Sequence, residues 1–474
     1  MVEFEHDWSL ASALIERWRP ESHAFHLPCG EMTITLQDVA YQLGLRIDGD
    51  PVSGLIGGWE QHHQGWTIEE LCEEILGVVP GPEDRQSQTK WTVKLTWFHN
   101  TICRELEQDA IEEWLMRYTR GYIMQLIGGI LFPDASDSRV YIRWLPLLED
   151  LDACGRLSWG SAVLAWLYRH MFRATDHGQR NMGGCVSLML SWAYHHILLV
   201  WPDGYDARRF PLVERWVQYW SDNATDESRL RQYRHTMNGI GMLNVEGTPY
   251  ADPQLVGLVP PAIAEADPLA AVICPLLCSA IVEWHQVDRV VRQFNGLQHL
   301  PTRPLNIDDM HRLDGRLGCG EWFPHLLGAW HEMWDARADH RLPIYHHIDL
   351  CPSLPYMTWY LQWAHTELFG LGDQHLVPAG VVPEDLPIHH PVAPDLHQPV
   401  DGHLLELRPA AEEGEVGDGG EARGEADAAK AVGGRIPRRF LARETLSARQ
   451  LTVPTMQARR WDHCQDPCQV TTCL

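Results

Sequence analysis

Residues 25–45 read FHLPCGEMTITLQDVAYQLGL, and this stretch decides how the chain is read. From His23 to Ile34, two short extended pieces flank a Pro28-Cys29-Gly30 turn, the pattern of a small β-hairpin. Thr35, with Asp38 three residues on, has the spacing of an N-terminal capping box, and Gly44 stands where a helix so begun would end. Phe25, Leu27, Ile34, Leu36, Val39 and Leu43 are then available to a core.

The same local grammar recurs further on. Thr67 and Glu70 form a second capping box that opens IEELCEEIL, and Gly77 closes it. Apolar spacing predicts further helices around Val93–Tyr118, Arg139–Leu151, Ser161–Arg173, Cys185–Val200, Arg208–Trp220, Ala270–Phe294 and Glu321–Ala338. Within Ser161–Arg173, Leu164, Leu167, Tyr168 and Met171 fall at i, i+3, i+4 and i+7, the spacing of one buried face. The longest apolar run, LAAVICPLLCSAIV from Leu269 to Val282, is shorter than the roughly 18 to 20 residues of a membrane helix and is interrupted by Pro275. It is read as a buried helix pair.

The fold expected is mainly α: a multi-helix globular domain over residues 1–375 with a small β-hairpin near its N-terminus. Residues 376–474 are expected to be a disordered tail. The tail is Pro-rich at VPAGVVPEDLPIHHPVAPDLHQP, acidic and Gly/Ala-rich from Ala410 to Ala429, and then basic through Arg435, Arg438, Arg439, Arg443, Arg449, Arg459 and Arg460. Such a basic region can serve nuclear import or nucleic-acid contact, or be a solvated tail without function.

Of 474 residues, 45% are hydrophobic and 21 are tryptophan, a globular composition rich in large rigid side chains. Acidic residues number 64 against 38 basic ones, and the net charge of -26 repels a phosphate backbone unless basic residues cluster. The start, MVEFEHDW, has no basic segment followed by an apolar one, so no secretory signal is expected. Twelve scattered cysteines are then read as reduced packing thiols.

Motif by motif, catalysis loses to structure. The lysines, Lys90, Lys94 and Lys430, precede Trp91, Leu95 and Ala431, so none closes a phosphate-binding loop. Gly239-Ile240-Gly241-Met242-Leu243-Asn244 lacks the third glycine of a dinucleotide fingerprint and is read as a loop. Ser158 misses a nucleophile elbow because Arg156 replaces its first glycine, and is read as a helix start. In His331-Glu332-Met333-Trp334-Asp335, aspartate stands where a zinc-protease motif needs its second histidine.

The doublets His62-His63, His195-His196, His346-His347 and His389-His390 do not aim at one centre, and are read as surface or partly buried polar positions. His463, Cys464, Cys468 and Cys473 lack the spacing of zinc knuckles. Asp134, Asp137, Glu149, Asp150 and Asp152 are read as solvated helix ends rather than a carboxylate metal site. No catalytic, cofactor-binding or metal residue is assigned, and no cofactor is expected.

Three blocks together resemble the plant mobile domain family, including its MAIN-like members. They are FHLPCGEMTITLQDVAYQLGLRIDGDPVSG (25–54), the stretch from LIGGILFPDASDSRV through LEDLDACGRLSWGSAVLAWLYRHMFRA (126–174), and IVEWHQVDRVVRQFNGLQHLP (281–301), followed by Trp322 and PYMTWYLQW. Arg46 departs from the family, where proline is common, and the N-terminus is short for it. A truncated or mobile-element-derived copy is therefore kept open.

The resemblance implies a transposon-related protein of the nucleus, and because each candidate catalytic motif gives way to a structural reading the chain is expected to be non-enzymatic. The implied roles are meristem maintenance, transposable-element silencing, gene-expression control and genome stability. The implied partners are proteins, including a phosphatase-like protein and chromatin or silencing factors, with no membrane association and direct DNA contact left open. The alternatives are a transposon-encoded accessory DNA binder or cryptic nuclease, and the phosphatase or aminotransferase that similar sequences are labelled as. An aminotransferase needs a Schiff-base lysine with a phosphate cup, and Lys90 and Lys94 sit in KWTVKLTWFHN without one. A metallophosphatase needs GDxHG, GDxxDRG and GNHE-type blocks, and Asp288-Arg289 lacks their glycines.

Overall fold

Local rules carry residues 23–44 as expected, whereas the helix and the strand that precede them, Trp8–Ile15 and Trp18–Arg19, were not anticipated. In the computed structural model, which describes residues 6–52, 66–85, 91–104, 111–134, 138–175, 182–202, 209–216, 219, 226–279, 281–305, 328–345 and 351–363, helix α1 (Trp8–Ile15) leads into strands β1 (Trp18–Arg19), β2 (Ala24–Leu27) and β3 (Gly30–Met32). The three pair antiparallel in that order, with Trp18 opposite Phe25 and His26 opposite Glu31. Gly30 turns at φ 115°, and a Cβ there would lie 3.1 Å from the Tyr356 hydroxyl, so both the conformation and the close approach call for glycine.

Helix α2 (Leu36–Leu43) follows with its capping box closed. Thr35 N–H donates to Asp38 Oδ2 at 2.7 Å, and Asp38 N–H donates to Thr35 Oγ1 at 3.4 Å. Gly44, at φ 68°, ends it in the left-handed cap that glycine adopts without a Cβ penalty. Helix α3 (Ile68–Leu76) repeats the design with Thr67, Glu70 and Gly77.

Helix α5 (Trp159–Ala174) is the hub, with α4 (Glu112–Leu126) preceding it. Its predicted stripe is buried, but so is every residue from Trp159 to Met171, because α2 lies on one side and strands β6 (Cys274–Cys278) and β7 (Ile281–His285) on another. A helix buried all round is a core element rather than an amphipathic cover. Helix α6 (Val186–His196) is likewise buried along its length, next to α2. The mainly helical class therefore holds, with the expected hairpin in place.

Several boundaries differ from expectation. The run 269–282 is not a helix pair, nor does a helix span Ala270–Phe294: a 3-10 turn (Asp267–Ala271) leads into a β-hairpin with Cys278 opposite Ile281 and Ser279 at φ 53°. A short apolar run has no period by which helix and strand can be told apart. A two-stranded sheet also tolerates Pro275 on an open edge.

Val93–Tyr118 divides into strand β4 (Thr92–Lys94), a short helical piece ending at Ile102, and the start of α4. Arg139–Leu151 becomes β5 (Arg139–Tyr141), which pairs with β4, followed by a 3-10 segment (Ile142–Leu148) containing Pro146. In Arg208–Trp220 the described helical part is a 3-10 turn, Leu212–Trp216. Helix α6 stops at His196 before a 3-10 turn, Leu198–Val200.

Helix α7 (Asp226–Asn238) was not anticipated: its sequence, DESRLRQYRHTMN, is polar, and it is held to α1 by ions. Arg229 and Tyr233 reach Asp7 Oδ2 at 2.7 and 2.8 Å, and Arg234 Nε donates to Glu16 Oε2 at 2.9 Å. Helix α8 (Gly328–Asp335) occupies part of Glu321–Ala338.

Helix α9 (Leu354–Trp363) closes the structure against the N-terminal hairpin. Tyr356 accepts from Glu31 N–H at 3.0 Å, and Tyr360 donates to the Leu27 carbonyl at 2.7 Å. The tail expected to be disordered lies outside the described residues.

Candidate functional site

The charges that the sequence scatters through apolar runs converge inside the molecule. Strand β7 carries Glu283 among Ile281, Val282 and Trp284, and α5 carries Arg169 among Leu167, Tyr168 and Met171. They meet at 2.6 Å (Nε to Oε1), and His23 Nε2 lies 2.8 Å from the other carboxylate oxygen. A second node forms where Arg289 Nε and Nη2 donate to Glu31 Oε1 at 2.9 and 2.7 Å. His26, opposite Glu31 in the sheet, stands 3.4 Å from that same oxygen.

All six side chains are buried. Burial alone pushes the Glu31 carboxyl up, but the Arg289 guanidinium and His26 outweigh it and hold it below its usual range. Burial lowers His26 despite Glu31 beside it. Each node ties the N-terminal hairpin to the 281–289 region more than 250 residues later, and removing one partner of such a pair leaves an uncompensated buried charge.

A third node sits at the first turn of α2. Beyond its cap, Asp38 Oδ1 lies 2.8 Å from His196 Nε2 and accepts from the Tyr250 hydroxyl at 2.6 Å. Burial would raise the Asp38 carboxyl, yet His196, Tyr250 and Thr35 together keep it below its ordinary value. Two residues earlier, Leu36 N–H donates to His285 Nε2 at 3.2 Å, while His285 Nδ1–H donates to the Val272 carbonyl at 2.9 Å. An imidazole facing one donor and one acceptor is neutral. Burial accordingly lowers His285 to about 4, the hydrogen bond to Val272 opposing it only in part.

His195 and His196 are fully buried, not surface positions, because α6 runs through the core. The expectation that they diverge holds: His195 bonds its own helix at the Ser191 carbonyl, and His196 faces Asp38. Ser158 precedes the first residue of α5 and is buried. Gly241 and Asn244 form a turn with a 2.9 Å hydrogen bond.

Asp150 caps the helical turn 151–154, as a helix-end residue should. Lys94 lies in β4, 3.9 Å from Asp84. His331 and Asp335 sit one turn apart on α8. Lys90, Lys430, His62-His63, His346-His347, His389-His390, Asp137, the 463–473 cluster and the 435–460 arginines lie outside the described residues.

Among the described residues no three His, Cys, Asp or Glu side chains are grouped to hold a metal, and no helix is long and apolar enough to cross a membrane. Burial pushes the thiols of Cys72, Cys274 and Cys278 up to about 12 and that of Cys103 to about 11, which keeps them protonated and unreactive at neutral pH. What these nodes do chemically is hold protons and charges in fixed places.

Glu31, Arg169, Glu283 and Arg289 escaped the motif search because they match no spacing. Their signal was an ion in a slot where the surrounding pattern asks for an apolar side chain.

A family model described as plant mobile domain matches residues 1–361. Protein MAIN-LIKE 1 of Arabidopsis thaliana is 34% identical over 361 residues, covering 76% of this chain and 67% of that protein. Protein MAINTENANCE OF MERISTEMS, from the same plant, is 33% identical over 293 residues, 62% of this chain and 58% of its own length. An Arabidopsis serine/threonine-protein phosphatase 7 long form homolog is 35% identical over 370 residues, 75% of this chain but 26% of that protein. No solved structure matches.

Proposed function

Because the chain belongs to the plant mobile domain family, whose members include proteins named for the maintenance of meristems, we propose that it is a nuclear, non-enzymatic interaction protein. On this reading it contributes to meristem maintenance and to transposable-element silencing, gene-expression control and genome stability through protein partners. The observation that carries the reading is that the ionisable groups best suited to chemistry, Glu31, Asp38, His196 and Glu283, are paired with one another's neighbours inside the core. The surface instead offers apolar side chains such as Trp8, Trp114, Leu243 and Tyr345 for contact.

The match to the phosphatase long form homolog fits this reading. It spans a quarter of that protein, and the chain carries none of the metallophosphatase blocks. A phosphatase-like protein and chromatin factors are the partners sought. Affinity purification of the tagged chain from plant nuclei, followed by mass spectrometry, is expected to recover such partners in stoichiometric amounts. A cytosolic protein with no nuclear partner overturns the proposal.

The arginine region of 435–460 supports a second reading, an accessory DNA binder of transposon origin. Neutralising phosphates releases counterions, so that reading requires binding by the full chain that weakens steeply with salt. No binding at low salt removes it.

A further inference from the structure

We propose that His196 is held as an imidazolium by the Asp38 carboxylate, and that this one proton locks α2, the end of α6 and the turn at Pro249–Ala251 together. The assignment comes from following donors through the core. Trp216 Nε1–H can only donate, and it donates to Ser191 Oγ at 2.8 Å. Ser191 therefore gives its own proton to Gln42 Oε1 at 2.6 Å. That fixes the Gln42 amide, whose Nε2–H donates to the Tyr250 hydroxyl at 3.0 Å, and Tyr250 in turn donates to Asp38 Oδ1.

Asp38 Oδ2 meanwhile accepts from Thr35 N–H and from Thr35 Oγ1 at 2.8 Å. Three donors already converge on the carboxylate before His196 is counted, and hydrogen bonds to the charged form favour that form. The His196 ring lies between two acceptors: Nδ1 is 2.9 Å from the Glu246 carbonyl and Nε2 is 2.8 Å from Asp38 Oδ1. A neutral imidazole has one N–H and satisfies one acceptor, so the second contact demands a second proton. Asp38, already accepting three hydrogen bonds, is the weaker base of the two, and the proton stays on the ring.

The charged and titratable groups around the pair are Tyr41 on α2, His195 on α6, Arg215 beside His195, Tyr250 on the 249–251 turn, His285 on β7 and Tyr168 on α5. His285 caps the same helix start in the opposite protonation state. Helix α2 thus begins between one neutral and one cationic imidazole, and a change in either breaks a contact at its first turn.

The test is nitrogen-15 NMR of the full chain with labelled histidine at pH 7.5. Both ring nitrogens of His196 are expected at protonated positions, with His285 as the internal control showing one protonated and one bare nitrogen. A bare Nε2 on His196 overturns the proposal, and this measurement needs no variant. In Asp38→Asn, Nε2 of His196 is expected to become bare at the same pH. A ring that stays doubly protonated there shows that Asp38 does not hold the proton.

Discussion

Acidification from pH 6.5 to 4.5 is expected to destabilise the fold chiefly through two buried imidazoles. Burial lowers both His195 and His285 to about 4, whereas the unfolded chain protonates them near 6.5. A folded-state value below the unfolded one means that stability is complete above about 6.5 and falls as the pH drops towards the folded value. For a displacement of about 2.5 units, the loss between pH 6.5 and 4.5 works out at about 2 kcal/mol per residue, or about 4 kcal/mol for the pair.

His26, lowered in the same direction, adds to this loss. Glu31 and Asp38, held low, remain ionised through the window and contribute only at lower pH. Urea denaturation followed by tryptophan fluorescence in half-unit pH steps measures the slope. In His195→Phe, which keeps an aromatic ring against Trp201 and Trp216, the slope should drop by close to one proton. Stability that is flat across the window, or a slope unchanged in His195→Phe, refutes the reasoning.

Further outcomes follow from the same geometry. Arg289→Met leaves Glu31 buried without its main counter-charge and is expected to cost about 3–5 kcal/mol in urea unfolding. The double change with Glu31→Gln should recover much of that loss, and no recovery would mean that the pair is not the cause. Leu164→Ala in the fully buried hub helix α5 is expected to cost about 2–5 kcal/mol by denaturant midpoint. Thr67→Ala, which removes one half of an exposed cap, should shift the same midpoint by less than Leu164→Ala does. Gly44→Ala forces a side chain to φ 68° and sets its Cβ 3.1 Å from the Phe210 ring, so calorimetry should show a lower Tm, and an unchanged one counts against the strain.

What could be read from the sequence was what is decided locally. The two capping boxes and their closing glycines depend on residues three to ten apart, and both stand as read. The hairpin at 24–32 has its turn residues between its strands, so it too was visible. Strands β4 and β5 are joined by a pairing across more than forty residues, and neither segment alone has the length or alternation to announce it. Helix α7 was missed for a related reason: its three core-facing residues, Leu230, Tyr233 and Met237, are set in a polar sequence, and the ion pairs that fasten it come from Asp7 and Glu16 at the ends of another helix. The buried nodes show the limit most clearly: His196 reads as half of a polar doublet until α2 and the 249–251 turn are placed against it.

The contacts of Tyr356 and Tyr360 with the hairpin bear on how the protein is made. Leu27 and Glu31 leave the ribosome early, yet the hydroxyls that meet them belong to residues 325 and 333 positions later. At about 5–20 residues per second the hairpin waits roughly 15–70 s for its cover. During that interval Phe25, Leu27 and Met32 must be shielded by whatever has already folded, or by a chaperone. The order of synthesis therefore leaves the Leu27 carbonyl and the Glu31 N–H without these two hydroxyl partners until α9 arrives.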